Sequence, residues 1–586
     1  GIGYVMEQST KLRQPPAMIN PAAYRCARTE PAEPFASRGH CNPDYRSTKK
    51  LLDNRPTLPF SLETASAASL EEMLRAGTLT SKDLVKAELY RIAITNAQGP
   101  SIQAIRALNP HAIDQATASD KLRHKGLASG PLAGIPVLVN DSIDDAGLAT
   151  SAGSIALQDN LPAASSKIVG KLEAAGAIVI GDTNVTELGG AFGPNMPQGY
   201  SSLGGQVLLP SDTNKTVGGS SGGSAAAVSI GIAPLAIGSE TSTDSAQLIA
   251  PAGNAGVVGL KPTVGLVSRT GVLPVARSQD SPGPIGQTVA DVATALEALA
   301  GPDPTDPATA GQPNPLPSYT AALSPTALSG KKIAVVSSTA VPYPTAVAEL
   351  GTLGASATTV TPGPATTAPS VIPYEFHRDL DSYLASTSGP KSLQEVIEYN
   401  KANPVEGLKF GESGLLAAAA LETSNPTTTA TYQENLTKGQ SDSKAVIDGI
   451  LNNGTPAEPA DDYSALMVPS GSPLVGVADR AGYPVLSVPA GYAVQNSSTG
   501  GDPVGVDFIG AAYTEPELLA EGYAFEQGTK ARQTGPAYQQ SEGNPTFTGA
   551  PSETNQSMWR CVLGSSFYKP YECNAGDIES GLLGAG

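Results

Sequence analysis

Short apolar runs bounded by glycine, alternating with helical stripes, constrain this chain more than any other feature. Residues 135–139, Ile-Pro-Val-Leu-Val, follow Gly134 and lead into a polar loop, the pattern of a strand buried on both faces. Ile168, Val169 and Leu172 then recur at helical spacing up to Gly176, and residues 177–180 form a second buried run. This alternation predicts an α/β fold around a mainly parallel sheet. It continues with Val289, Val292, Ala293, Leu296 and Leu299 on one helix face, strands at 333–336 and 485–488, and a helix over 518–525. Upstream, Ser69 with Glu72 and Thr80 with Asp83 have capping-box spacing, the first ahead of a short helix ending at Gly77.

Outside that pattern the chain is turn-rich. Its 586 residues include 63 Gly and 50 Pro, with 15% charged residues and 40% hydrophobic ones. That apolar content supports a large core, while the charge deficit and turn residues suit a secreted protein with long surface connections. A formal net charge of −18 makes binding to a phosphate backbone a poor fit. Residues 1–57 and 535–586 lack periodicity and read as N- and C-terminal extensions flanking one domain over 58–534. Within it, 130–285 is the motif core and 303–460 a variable region, where 303–330 and 352–370 read as loops.

All four cysteines lie in the extensions, Cys26 and Cys41 in one, Cys561 and Cys573 in the other. Local pairing, Cys26 with Cys41 and Cys561 with Cys573, is the expected disulfide arrangement; pairing between the extensions, or a zinc site lacking CxxC spacing, are the alternatives. Residues 1–20 contain no signal peptide, so an extracytoplasmic location implies one already removed. The apolar stretch at 225–238 is too short and too interrupted to span a bilayer, so no transmembrane segment is expected.

The most specific stretch runs from Gly218 to Ala227, Gly-Gly-Ser-Ser-Gly-Gly-Ser-Ala-Ala-Ala, where small residues allow close backbone approach. A flexible Gly/Ser linker is the bland alternative, and the order required of a phosphate loop is absent. With Gly134-Ile135-Pro136-Val137-Leu138, Gly256-Val257-Val258-Gly259-Leu260-Lys261-Pro262-Thr263 and Ser278-Gln279-Asp280-Ser281-Pro282-Gly283-Pro284 in the same order, the sequence resembles the amidase signature family. The likeness covers 60–305 well and 370–533 in patches. It implies a large twisted mixed β-sheet surrounded by helices, and hydrolysis of linear amides by a serine nucleophile, a bridging serine in a cis peptide and a lysine. It implies no cofactor or metal.

Several positions depart from that pattern. Asn140 stands where the family has its lysine, and a carboxamide cannot accept a proton at neutral pH. Ser220 matches the bridging serine, with Gly218, Gly219, Ser221 and Thr243 as substrate-binding candidates, although a tight turn needs small residues there in any case. The nucleophile segment is about three residues longer than the family's and lacks its glycines. Counting forward from Ser220 puts Asp244 at the nucleophile position; counting back from Pro251 puts Gln247 there. Ser245 is one residue from the first register and is the candidate for a shifted nucleophile, with Asp244 beside it as a possible base. Asp141 and Asp144 read as turn-bonding residues, and His40, His111, His124 and His377 share no metal spacing.

Two functions follow. One is a secreted amidase-like protein without the hydrolytic chemistry, serving as a binding or assembly component for a protein partner, a homo-oligomer, or a small amide or peptide ligand. The other is an active amidase or esterase with a relocated serine. The Asn-x-Ser/Thr sites at Asn184, Asn214, Asn435, Asn453, Asn496 and Asn555 decide between neither.

Overall fold

The computed structural model describes residues 56–96, 102–109, 111–242, 246–493 and 501–532. The two extensions, with all four cysteines, lie almost entirely outside these residues, as do Thr243, Asp244 and Ser245. The core is an eleven-stranded mixed sheet. Its strands are β1 (Ile105–Leu108), β2 (Pro136–Asn140), β3 (Ile178–Thr183), β4 (Leu235–Glu240), β5 (Val258–Lys261), β6 (Ser281–Gly286), β7 (Lys332–Val335), β8 (Ser356–Thr359), β9 (Ala465–Pro469), β10 (Val485–Tyr492) and β11 (Pro503–Ile509). Across the sheet they run β1-β3-β2-β4-β6-β5-β10-β11-β9-β7-β8.

The expectation of a mainly parallel sheet needs correction. β2 lies parallel to β3 and β4, and β7 parallel to β8 and β9, but every other neighbouring pair is antiparallel. The parallel neighbours are joined through helices such as Lys167–Ala174 between β2 and β3 and Tyr343–Thr352 between β7 and β8. Antiparallel neighbours need no such crossover, and α/β alternation alone does not reveal strand direction: helices also stand between β4 and β5 and between β9 and β10, in the antiparallel part of the sheet. β8 also corrects the reading of 352–370 as loop: Ser-Ala-Thr-Thr is exposed throughout and is held to β7 by backbone pairing alone. An edge strand with no buried face leaves no hydrophobic signature.

Strand parity sets what each side of the sheet sees. Val137 and Val139 point into one apolar layer with Ile168, Val169 and the helix Val289–Leu299, whereas Leu138 points into the other, with the helices Gly222–Ser229 and Ile249–Ala255. The period of two therefore sends Asn140, at the end of β2, to the same side as Leu138 and towards the Gly/Ser segment. On β11 the same rule puts Val506 and Phe508 on the first side and Ile509, with Asp507, on the second.

Helix ends follow local chemistry. Thr80 Oγ1 accepts from the backbone N–H of Asp83 at 3.1 Å, as its spacing predicts. Ser69 is not a cap; it is already inside the helix Ala67–Ala76, and its N–H is bound by the hydroxyl of Ser66 at 3.1 Å. Gly77 ends that helix at φ 75°, a conformation glycine adopts without Cβ strain.

Candidate active site

Asn140 is 1% exposed, and both the oxygen and the nitrogen of its carboxamide are hydrogen-bonded. Its Nδ2 donates to Ser221 Oγ at 3.0 Å, and its Oδ1 accepts from Ser224 Oγ at 2.7 Å and Thr183 Oγ1 at 3.2 Å. Ser221 Oγ in turn donates to the Ser239 carbonyl at 2.9 Å and accepts from the Ser239 N–H at 3.0 Å. This network joins β2, β3, β4 and the first turn of the helix Gly222–Ser229. An amide, with both donor and acceptor atoms, closes it.

The Gly/Ser segment is not a linker. A Cβ on Gly219 would collide with the Thr186 hydroxyl, and one on Gly223 with the carbonyls of Asn184 and Ala104, so both positions exclude larger residues on packing grounds. The Gly219–Ser220 peptide is cis, the geometry the family resemblance implies for its bridging serine. Ser220 is 7% exposed, its carbonyl accepts from the Thr186 N–H at 3.1 Å, and its residue lines a narrow slot. Of the other substrate-binding candidates, Gly218 takes φ 95° at the entry to this turn, and Ser221 serves the Asn140 network instead of facing the slot.

Gln247, 2% exposed, lines the same slot as Ser220. Its Oε1 accepts from the Thr241 N–H at 3.1 Å and its Nε2 donates to the Gly189 carbonyl at 2.6 Å, while its own backbone carbonyl accepts from the Ser221 N–H at 2.9 Å. Gly189 lies in a turn where Leu188, Gly189 and Gly190 all take positive φ, at 49°, 65° and 84°. The remaining space open to the centre of a water molecule is about 20 Å³, room for little more than one or two waters.

Asp280 is the one titratable residue among those described that line the slot. Its Oδ1 accepts from Thr241 Oγ1 at 2.5 Å and the Ala276 N–H at 2.9 Å, and its Oδ2 from the Val275 N–H at 3.1 Å. It holds a turn closed. Gln279 beside it donates to the Thr241 carbonyl at 2.6 Å. The sequence reading assigned no role to Gly189, Gln279 or Asp280; the segment from Ser278 to Pro284 was the signal that could have drawn attention to the last two.

Behind the slot lies an excess of buried acid. Glu240 Oε2 accepts from both Leu248 and Ile249 N–H at 2.7 Å, which ties β4 to the start of the helix Ile249–Ala255. Burial, reinforced by the neighbouring Asp479, holds the Glu240 carboxyl well above the usual carboxylate range. Burial likewise pushes Asp507 up to about 7. Lys261 lies 3.5 Å from Asp479 Oδ1 and donates to the Tyr483 carbonyl. A larger cavity of about 430 Å³ is bounded by Ser242, Ile249, Ile372, Val475, Arg480 and Asp507.

Asp141 and Asp144 do not line the slot, and their partners are distant in the chain, not the adjacent backbone that turn bonding implies. Asp141 accepts from the N–H groups of Ser151 and Gly153 at 3.2 and 2.9 Å and pairs with Arg106 at 2.9 Å. Asp144, raised to about 6 by burial, accepts from Tyr383 and Thr150 hydroxyls at 2.6 and 2.7 Å. Among the described residues no cluster of His, Cys, Asp and Glu could hold a metal ion, and no helix is long and apolar enough to cross a membrane.

A family model for amidases matches residues 83–519, most of the chain. The chain belongs to the amidase signature family. Among its relatives is a probable amidase of Arabidopsis thaliana, 32% identical over 491 residues, an alignment covering 81% of this chain and 91% of the relative. A glutamyl-tRNA(Gln) amidotransferase subunit of Symbiobacterium thermophilum is 30% identical over 513 residues, covering 82% and 99%. Among solved structures, native peptide amidase from Stenotrophomonas maltophilia superposes with a TM-score of 0.72 at 36% identity, covering 80% of this chain and 98% of that one. An amidase family protein from Bacillus anthracis gives 0.74 at 30% identity, covering 86% and 96%. The large mixed sheet wrapped by helices is thus the amidase fold, as the motifs implied.

Proposed function

We propose that this protein is a non-hydrolysing member of the amidase family, exported from the cytoplasm, whose fold serves as a binding or assembly component. The observation that carries the reading is Gln247: a buried carboxamide, hydrogen-bonded at both its oxygen and its nitrogen, lines the same slot as Ser220, at the position that counting back from Pro251 assigns to the nucleophile. By the family resemblance the base position is Asn140, which cannot take a proton and is committed to Ser221, Ser224 and Thr183. Loss of a positioned base alone removes about 10² to 10⁴ in rate. A fold of this size keeps its packing without catalytic groups, so retention of the sheet and loss of hydrolysis are compatible. Export agrees with the low charge and with cysteines confined to the two extensions, where they would form disulfides.

A fluorophosphonate probe tests this directly, with the Stenotrophomonas peptide amidase as the reactive control. The expected result is no adduct and no ammonia release from peptide amides. A stoichiometric adduct on Ser245, accompanied by turnover that Ser245→Ala abolishes, would establish the other reading, an active amidase with a relocated serine. Non-reducing peptide mapping of protein secreted by a eukaryotic host checks the disulfides, with Cys26–Cys41 and Cys561–Cys573 the expected pairs.

A further inference from the structure

We propose that the cavity at Asp507 is a binding site for an organic cation, a guanidine or amine carried on a short apolar body. The proposal does not depend on whether the slot beside Ser220 hydrolyses amides. The cavity's volume of about 430 Å³ falls within the range of about 300–1,000 Å³ that small-molecule sites occupy, and Ile249, Ile372 and Val475 give it apolar walls. Its charge comes from Asp507. That residue stands on β11, on the side of the sheet that carries the helix Ile249–Ala255, is 1% exposed, and has no hydrogen-bond partner for its Oδ1 among the described residues.

The surroundings of Asp507 are short of positive charge. Asp479 lies near it and Glu240 near Asp479, and both are 0% exposed. Among the described residues Lys261, 3.5 Å from Asp479 Oδ1, is the one cation in ion-pair contact with any of the three. Carboxyl groups buried without counter-charge keep their protons, which is why burial raises Asp507 to about 7 and Glu240 well above its usual range. Of the three, only Asp507 reaches the cavity, so a cation entering there meets the carboxyl that lacks one.

Arg480 is the other charged residue at the cavity. Its Nη1 and Nη2 donate to the carbonyls of Ala368 and Pro369 at 2.9 and 2.7 Å, which hold the guanidinium against backbone dipoles and leave Asp507 as the charged group without a partner. A metal ion fits poorly: it needs several oxygen ligands, and the cavity offers one carboxylate among apolar walls. A neutral ligand leaves Asp507 unanswered, and an anion adds to the excess of acid. A planar guanidinium is weakly hydrated and gives up its water for a buried carboxylate more readily than a compact ammonium does.

The test compares n-butylguanidinium, n-butylurea and valerate, which carry the same butyl chain on a planar head that is cationic, neutral or anionic. Each is titrated by calorimetry into the full-length protein at neutral pH, at millimolar ligand and constant ionic strength. The expected result is one site per chain, with butylguanidinium bound about 10- to 150-fold more tightly than butylurea and valerate not bound. Asp507→Asn keeps the shape of the cavity and brings butylguanidinium to the affinity of butylurea. No binding of butylguanidinium, or equal affinity of wild type for it and butylurea, would overturn the proposal. A preference for the cation that survives in D507N would overturn it too, by placing the recognition elsewhere on this acidic chain. If D507N does not fold, Ile372→Trp, at a half-buried position in the cavity wall, fills the same space and must abolish binding; butylguanidinium bound as tightly by I372W as by wild type would refute the site.

Discussion

Placing lysine at Asn140 puts the network beneath the slot to a quantitative test. The residue is 1% exposed and its carboxamide makes three side-chain hydrogen bonds, to Ser221, Ser224 and Thr183. Asn140→Lys breaks this arrangement and brings an ammonium group into a space with hydroxyls but no carboxylate bonded to it. Each lost hydrogen bond is worth about 1 kcal/mol, partly recovered because Thr183 and Ser224 already lie 2.7 Å apart and can pair with each other. The ammonium escapes burial by losing its proton. From an unfolded pKa of about 10.4, that costs about 4–5 kcal/mol at pH 7 and sets a ceiling on the charge penalty. The variant is therefore destabilised by about 2–7 kcal/mol at pH 7.

The pH dependence has a definite sign. The folded-state pKa of the new lysine lies below its unfolded value, so between the two the unfolded chain binds more protons and stability rises with pH. The penalty for N140K shrinks by up to about 1.4 kcal/mol per pH unit on going from pH 7 to 9. Asn140→Met, of similar length and uncharged, carries a penalty that does not change with pH. Urea unfolding of the three proteins at both pH values measures the difference. A penalty for N140K as flat with pH as that of N140M would refute the description of this site as closed and unable to hold a cation. Ammonia release from an amide by N140K alone would refute the claim that Gln247 also blocks the chemistry.

Other outcomes follow from the same structure. Glu187, raised to about 8 by burial while Ser202 donates to it from its backbone and hydroxyl, is protonated in the folded chain and ionised in the unfolded one above its ordinary pKa. With Asp507 and Asp145 both near 7, it makes stability fall as pH rises from about 4.5 to 8, and Glu187→Gln flattens that slope by a few kcal/mol in urea titrations. Gly223→Ala costs about 1–3 kcal/mol because its Cβ meets two backbone carbonyls, whereas Gly170→Ala, with nothing within 4 Å, stabilises its helix by up to about 1 kcal/mol; equal effects in thermal unfolding would contradict the packing described. In protein secreted by a eukaryotic host, glycopeptide mapping should find Asn453 occupied, since it is exposed at the turn after the helix Pro426–Leu451. Asn184 should be bare, being fully buried and donating to the carbonyls of Gln103 and Gly205. Occupancy at Asn184 would mean that β3 does not end as described.

What could be read in the residues and what could not divide along physical lines. The buried strands β2 and β3 and the helix between them were legible because period-two and period-3.6 burial write themselves into apolar spacing. The order of the short glycine-rich motifs carried the family, since close backbone approach tolerates no substitute for glycine, as Gly219 and Gly223 illustrate. The antiparallel centre of the sheet left no such trace, and neither did the exposed edge strand β8, because backbone pairing between distant segments does not depend on side-chain type.

The site divides the same way. That Asn140 cannot act as a base follows from its side chain alone. Which residue lines the slot with Ser220 did not: two registers were open, and Gln247 is placed there beside Leu248 and Ile249, whose N–H groups are held by Glu240 at the start of the helix Ile249–Ala255. The three-dimensional arrangement also supplied the partners of its carboxamide, Thr241 and Gly189, which lie 6 and 58 residues away in the chain. A sequence specifies the chemistry each side chain can perform; only the folded backbone determines which donor meets which acceptor, because that meeting depends on contacts summed over the whole core.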